Sequence, residues 1–179
     1  MNERELLKDD VYLDVAASLS RLSKDRNTKI GAVIVASDGT PVSWGYNGTI
    51  AGFPDDEIPH TREAVKLTYT KVVYAGQIPR PVVFESKKYP FMSHAESNAI
   101  FFADREKLVG STLYITGFPC EICAKEIARA KIDRVVVKHM QKSDGDSLVT
   151  KSQESDIVKF IFAKSHIQLT VDGERMLFV

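Results

Sequence analysis

The sequence predicts an α/β fold, a three-layer α-β-α sandwich around one mixed sheet of five strands. Three observations carry that expectation. Short runs rich in Val and Ile alternate with stretches of helical periodicity. The first two runs are joined by only a few turn residues, which makes them a hairpin. The later runs are each separated by a helix-length segment, long enough for a crossover between parallel strands. With 179 residues, 44% of them hydrophobic, the chain can close one full core, so a single domain over residues 1–179 is expected.

The elements run in order along the chain. Val11, Val15, Leu19 and Leu22 recur at helical spacing and predict an amphipathic first helix over about residues 9–24. Ile30–Ala36 is a β-rich apolar run, Ser37-Asp38-Gly39 supplies a turn, and Val42–Tyr46 is the second strand of the hairpin. On that strand Trp44 and Tyr46 are expected to fill the sheet face, with stacking on a base as the alternative. Asn47–His60 is rich in Gly, Pro and Asp and reads as a loop. Glu63–Tyr74 reads as a helix. Pro79, Pro81 and Pro90 interrupt the stretch after it, so about 61–92 is expected to be an insertion or mobile loop.

Ser93 is the expected N-cap of a helix from His94 to about Arg105. Leu113–Thr116 is a strand, Gly117-Phe118-Pro119 a turn, and Cys120–Ala130 a helix. Arg134–Lys138 is a strand and Gln141–Leu148 a polar loop. Lys151–Ala163 is a helix with Ile157, Phe160 and Ile161 apolar, and Ile167–Val171 is the last strand. No internal repeat is visible.

Twenty-four basic residues balance twenty-four acidic ones, so the chain lacks the strongly basic character of a nucleic-acid binder. No apolar run is long enough to span a membrane. The charged N-terminal stretch lacks the apolar region of a secretory signal, and a cytoplasmic location is expected.

The chemistry concentrates in two short segments, His94-Ala95-Glu96 and Pro119-Cys120-Glu121-Ile122-Cys123. The chain has two cysteines, which excludes a disulfide framework. On its own the Cys-x-x-Cys pair is open to three readings: a redox pair, half of a metal site, or inert core thiols. Together with His-x-Glu it favours a metal. One imidazole and two thiolates give zinc three protein ligands, and the open fourth position suits water and catalysis. Glu96 is not needed as a ligand and lies close enough in sequence to move that water's protons. Both His94 and Cys120 are expected at helix N-termini, where the helix dipole favours thiolate. His60, His139 and His166 read as ordinary residues rather than ligands.

The combined pattern H-x-E…P-C-x-x-C is that of zinc nucleobase deaminases. The chain resembles the cytidine deaminase superfamily and, within it, the deoxycytidylate (dCMP) deaminases. The likeness extends through Ser23-Lys24-Asp25-Arg26-Asn27, Gly45-Tyr46-Asn47-Gly48, His94-Ala95-Glu96-Ser97-Asn98-Ala99-Ile100 and Phe118–Lys125. It implies one catalytic Zn²⁺ per chain on His94, Cys120 and Cys123, with Glu96 as proton shuttle. The implied reaction is hydrolytic deamination of dCMP to dUMP and ammonia, supplying dUMP for thymidylate synthesis.

The resemblance also gives Asn47 a sugar or base contact. Its bland alternative is a left-handed turn residue before Gly48. Lys24, Arg26 and Asn27 are candidates for the 5′-phosphate, against a solvated basic turn. Tyr46, Gly48 and Asp55 are candidates for an effector site at which dCTP with Mg²⁺ activates and dTTP inhibits, in a homohexamer. Ile50 and Phe53 stand in a loop where many relatives carry Pro and Cys, which argues against a second, structural zinc. Competing readings are a deaminase of cytidine, deoxycytidine, dCTP or a 5-modified dCMP, and a non-catalytic zinc-stabilised domain.

Overall fold

The structure, a computed structural model, describes residues 2–54, 57–71, 78–138 and 148–176, the side chains of 148–155 excepted. The chain divides into two compact units, Met1–Gly48 with His94–Val179, and Thr49–Ser93.

The larger unit begins with α1 (Glu3–Ser20), started by a reciprocal cap. Asn2 Oδ1 accepts the Glu5 N–H at 2.9 Å, and the Glu5 carboxylate accepts the Asn2 N–H at 3.0 Å. Strands β1 (Gly31–Val35) and β2 (Pro41–Tyr46) form the expected antiparallel hairpin around Gly39, whose φ is 90°. Short β3 (Gly48–Thr49) leads out of this unit. The smaller unit contains β4 (Val65–Lys71), β5 (Arg80–Ser86) and β6 (Met92–Ser93).

The chain re-enters the larger unit with α2 (Ala95–Phe101) and a single turn, α3 (Arg105–Leu108). Next come β7 (Thr112–Ile115), α4 (Glu121–Ala130), β8 (Arg134–Val137), α5 (Leu148–Lys164), β9 (Gln168–Val171) and β10 (Glu174–Met176). The main sheet is mixed, in the order β10-β9-β8-β7-β1-β2, with β7, β8 and β9 parallel and the remaining pairs antiparallel.

Strand side chains alternate between two cores. Val33, Val35, Tyr114 and Val136 cluster with Leu13 and Ala16 of α1. Ala32, Ile34, Leu113, Ile115, Val135 and Val137 cluster with Ala95, Ala99, Ala124, Ile127, Val158 and Phe162 from α2, α4 and α5. That is the period-two alternation of a sheet buried on both sides. Glycines set two of the closest approaches. A Cβ on Gly31 would stand 1.9 Å from the Ala16 carbonyl oxygen, and one on Gly45 would stand 2.4 Å from that of Ala95. One ion pair is nearly buried in the α1 layer: Arg134 donates to both Asp9 carboxylate oxygens, at 2.9 and 2.5 Å.

Several sequence expectations are corrected. The main sheet has six strands, not five, because the three-residue β10 folds back on β9 through Asp172 and Gly173, both at positive φ. The buried face of α1 is Asp9, Leu13, Ala16 and Ser20, while Val11, Val15 and Leu22 are exposed. The α1 backbone at Ala16 and Ser20 lies directly against Gly31, so that side of the helix faces the sheet and the larger apolar stripe turns outward. Among the described side chains of α5, Val158 and Phe162 are buried, and the apolar Ile157 and Phe160 are exposed. Residues 65–71 are a strand, not a helix. In the β4–β5 ribbon Val65, Leu67 and Tyr69 oppose Ser86, Phe84 and Val82, so one face gathers the apolar side chains. Ribbon propensity of Val, Thr and Tyr wins over a helical reading of the same residues.

Ser93 does not cap α2; His94 itself occupies the N-cap. Trp44 is 54% exposed rather than core, because β2 is the edge strand of the sheet. Its ring stacks on Tyr46, centroids 6.2 Å apart. His139 and the polar loop expected over Gln141–Leu148, except Leu148, lie outside the described residues. No described helix is long and apolar enough to cross a membrane.

Candidate active site

Two helix starts carry the metal-ligand candidates. His94 is the N-cap of α2 and Cys120 the N-cap of α4, both with extended backbone. Neither side chain caps its own helix, so ring and sulfur are available to something else. Cys123 stands one turn into α4 and is fully buried. His94 Nδ1 lies 3.3 Å from Cys123 Sγ and 3.5 Å from Cys120 Sγ, and the two sulfurs are 3.6 Å apart. Among the described residues this is the single group of three or more His, Cys, Asp or Glu placed to share a metal ion.

The spacing fits zinc. Zn–S bonds of about 2.3 Å and Zn–N bonds of about 2.0–2.1 Å at tetrahedral angles put sulfurs ~3.8 Å apart and nitrogen ~3.5 Å from sulfur. The three separations here fall within a few tenths of an ångström of those values. The donor set, borderline to soft, also suits that ion.

The electrostatics agree. A hydrogen bond from Cys123 and then the His94 ring hold the Cys120 thiol far below its ordinary range, against its burial. The hydrogen bond shared with Cys120 and burial push the Cys123 thiol up. Contact with Cys120 raises His94, outweighing its partial burial.

Glu96 sits in the first turn of α2, 4% exposed. Burial pushes its carboxyl up to about 7, opposed by its own backbone N–H, by His94 and by a hydrogen bond with Cys123. A carboxyl at that value gains and loses a proton readily near neutral pH.

Sheet register brings the remaining candidates to the same end of the larger unit. Gly31 pairs with Tyr46, and Ala32 with Ile115, so the start of β1, the end of β2 and the end of β7 adjoin. A Cβ on Gly117 would lie 2.6 Å from Ile30 Cδ1, which shows how closely the two loops meet. Asn47 bridges the same region. Its Oδ1 accepts the Ile30 N–H and its Nδ2 donates to the Thr28 carbonyl, both at 2.8 Å. It is not in the left-handed conformation offered as its alternative.

Lys24, Arg26 and Asn27 lie on the turn before β1. Their loop is held by buried Asp25, whose Oδ1 accepts the N–H groups of Asn27 and Thr28 at 2.8 and 3.3 Å. Tyr46 ends β2 and Gly48 begins β3. Asp55 lies outside the described residues.

Sequence reasoning missed three neighbours of the ligands. Asn98 Nδ2 donates to the Tyr46 carbonyl at 2.8 Å, tying α2 to β2 just before Asn47. Ser97 donates to Glu126 at 2.6 Å, and its oxygen lies 3.9 Å from Cys123 Sγ. A signal for this last pair was present. Ser97 is three residues after His94 and Glu126 three after Cys123, one helical turn from each ligand.

Comparison with known proteins agrees with this geometry. The deoxycytidylate deaminase of Pongo abelii is 32% identical over 171 residues, 92% of this chain and 86% of that protein. The crystal structure of dCMP deaminase from the cyanophage S-TIM5 in apo form matches with a TM-score of 0.62 and 22% identity. That match covers 96% of this chain and 99% of the other and shows a shared fold. The same phage enzyme in complex with dCMP and dUMP matches at 0.59 with 23% identity, over 96% and 98% of the two chains. The family described as the cytidine and deoxycytidylate deaminase zinc-binding region matches residues 7–139, a stretch holding both helix starts and Glu96, and the chain belongs to that family.

Proposed function

We propose that this chain deaminates dCMP hydrolytically, giving dUMP and ammonia. The observation that carries the reading is the convergence of three ligand atoms, one short of a tetrahedron, on the helix start that also carries the buried carboxyl of Glu96. A relative matching 92% of the chain acts, by its name, on deoxycytidylate, and the phage enzyme of the same fold binds dCMP and dUMP.

His94, Cys120 and Cys123 would hold one zinc ion, which when bound acidifies water to a pKa of about 7. Glu96 accepts a proton from the water that adds to C4 of the cytosine ring. It gives that proton to N3, then takes the remaining proton of the added hydroxyl and passes it to the departing amine, so water and cytosine become uracil and ammonia. Burial keeps bulk solvent from levelling its proton affinity. Asn47 has a second amide N–H beyond the one given to Thr28, and that group is the proposed contact to the sugar. Lys24, Arg26 and Asn27 are the proposed 5′-phosphate contacts.

The opposite-facing cores support a helix layer on each side of the sheet, the sandwich expected of this family. Assembly as a hexamer belongs to the same proposal. So does regulation by dCTP with Mg²⁺ and by dTTP near Tyr46 and Gly48. A substrate panel tests the reading: dCMP, deoxycytidine, CMP, cytidine, dCTP and 5-modified dCMP, followed by loss of cytosine absorbance. The expected result is dCMP favoured over deoxycytidine by roughly a hundredfold or more, the value of a charge-assisted phosphate contact. Equal turnover of nucleoside and nucleotide would overturn the choice of substrate.

A further inference from the structure

Ser97 and Glu126 face each other from α2 and α4, the two helices that carry the metal-ligand candidates. Ser97 lies one turn into α2 from His94, and Glu126 one turn into α4 from Cys123. Their side chains meet, the Ser97 hydroxyl donating to the Glu126 carboxylate at 2.6 Å. Both residues are half-buried, and the Ser97 oxygen also lies 3.9 Å from Cys123 Sγ. A hydroxyl has one proton, and here the shorter contact is to Glu126. With that proton given away, the serine oxygen is fixed beside the sulfur instead of rotating.

Ala95 and Ala99 of α2 share one apolar core with Ala124 and Ile127 of α4, and the α2 backbone at Ala95 and Ala99 lies against Gly45 of β2. To these non-directional contacts the Ser97–Glu126 bond adds a directional one between the two helices. A short polar link, one turn beyond His94 and one turn beyond Cys123, constrains their spacing. A ligand set gains affinity when neighbouring groups hold it in place before the metal arrives.

We infer that the Ser97–Glu126 hydrogen bond is a positioning link that clamps α2 to α4 and presets the His94-to-Cys123 spacing for zinc. The inference rests on the zinc reading proposed above, and the two fail separately. Zinc affinity is measured by competition with a chromogenic chelator for the unaltered chain, Ser97→Ala, Glu126→Ala, Glu126→Gln and the double Ser97→Ala/Glu126→Ala. Thermal unfolding of each metal-free protein is recorded alongside, as is the sulfur-to-cobalt charge-transfer band of each Co²⁺-loaded protein.

Loss of either partner should weaken zinc binding about 10–100-fold, and the double variant should be no weaker than a single one. Glu126→Gln keeps an acceptor for the serine and should recover most of the affinity. The cobalt band should shift in the alanine variants and stay in place in Glu126→Gln. Unchanged affinity in both alanine variants overturns the inference, as do additive losses or losses that only track metal-free unfolding temperature. Absence of zinc binding by the unaltered chain would instead overturn the metal reading on which it stands.

Discussion

His94 and Cys120 hold the same position in two different helices, each the N-cap, with ring nitrogen and sulfur 3.5 Å apart. Opposing two helix starts points both positive dipole ends at one small volume. That arrangement favours anionic sulfur and adds to the contacts that hold the Cys120 thiol so low.

Replacing either thiol should therefore remove the metal. Cys120→Ser and Cys123→Ser should each bind substoichiometric zinc by elemental analysis and lose deamination. Serine offers a hard oxygen in place of a soft sulfur. Full zinc occupancy in Cys123→Ser would show that the buried sulfur is not a ligand.

Glu96→Gln separates binding from chemistry. The amide keeps the size of the side chain and cannot carry the proton. Zinc content should stay at one per chain while turnover falls by roughly 10²–10⁴-fold, the range for general acid–base catalysis. Near-normal turnover in a zinc-replete variant would assign the shuttle elsewhere.

Arg134 and Asp9 tie α1 to β8, with side chains 20% and 7% exposed. Arg134→Met strands the Asp9 charge and should cost about 3–5 kcal/mol. For a chain of this length that is roughly 6–20 °C in the unfolding midpoint. Asp9→Leu/Arg134→Met removes both charges and should recover much of the loss. Calorimetry of the pair decides this, and an equally unstable double variant would mean that packing, not charge, holds the junction.

Tyr114 gives the pH dependence. Burial raises its phenol well above the ordinary range, and the Asp9 carboxylate raises it further. A folded value above the unfolded one means that folding favours the protonated phenol. Its contribution is fully present below about pH 10, the unfolded value, and is lost as pH climbs from there toward the raised folded one. Chemical denaturation between about pH 8 and 11 should show stability falling more steeply in the unaltered protein than in Tyr114→Phe. Parallel profiles would contradict the assignment.

Strands β1, β2, β7, β8 and β9 and the two helices that start at His94 and Cys120 were legible in the sequence because local rules and tertiary demands agree there. Gly31–Val35 is apolar throughout and buried throughout, and Cys120–Ala130 has a periodicity and a motif in register. The misses share a cause. Val11 and Val15 look like a core face, yet the close approach of the α1 backbone to Gly31 sets which side of the helix turns inward. Val65–Lys71 carries no helix-breaking residue, and its strand form depends on pairing with Arg80–Ser86 across a connection. The Ser97–Glu126 bond joins helices that are adjacent only after folding, so helical offset alone did not declare it.

The most direct measurement is a zinc titration of dCMP turnover. Protein stripped with a chelator is reloaded with increasing Zn²⁺, and conversion to dUMP is monitored at each point, with Glu96→Gln carried through the same titration. Activity should rise linearly, break at one zinc per chain, and stay flat beyond it. Glu96→Gln should take up the same single ion without gaining turnover. A stripped protein that still deaminates dCMP, or activity that needs a second equivalent of zinc, would contradict the site built on His94, Cys120 and Cys123.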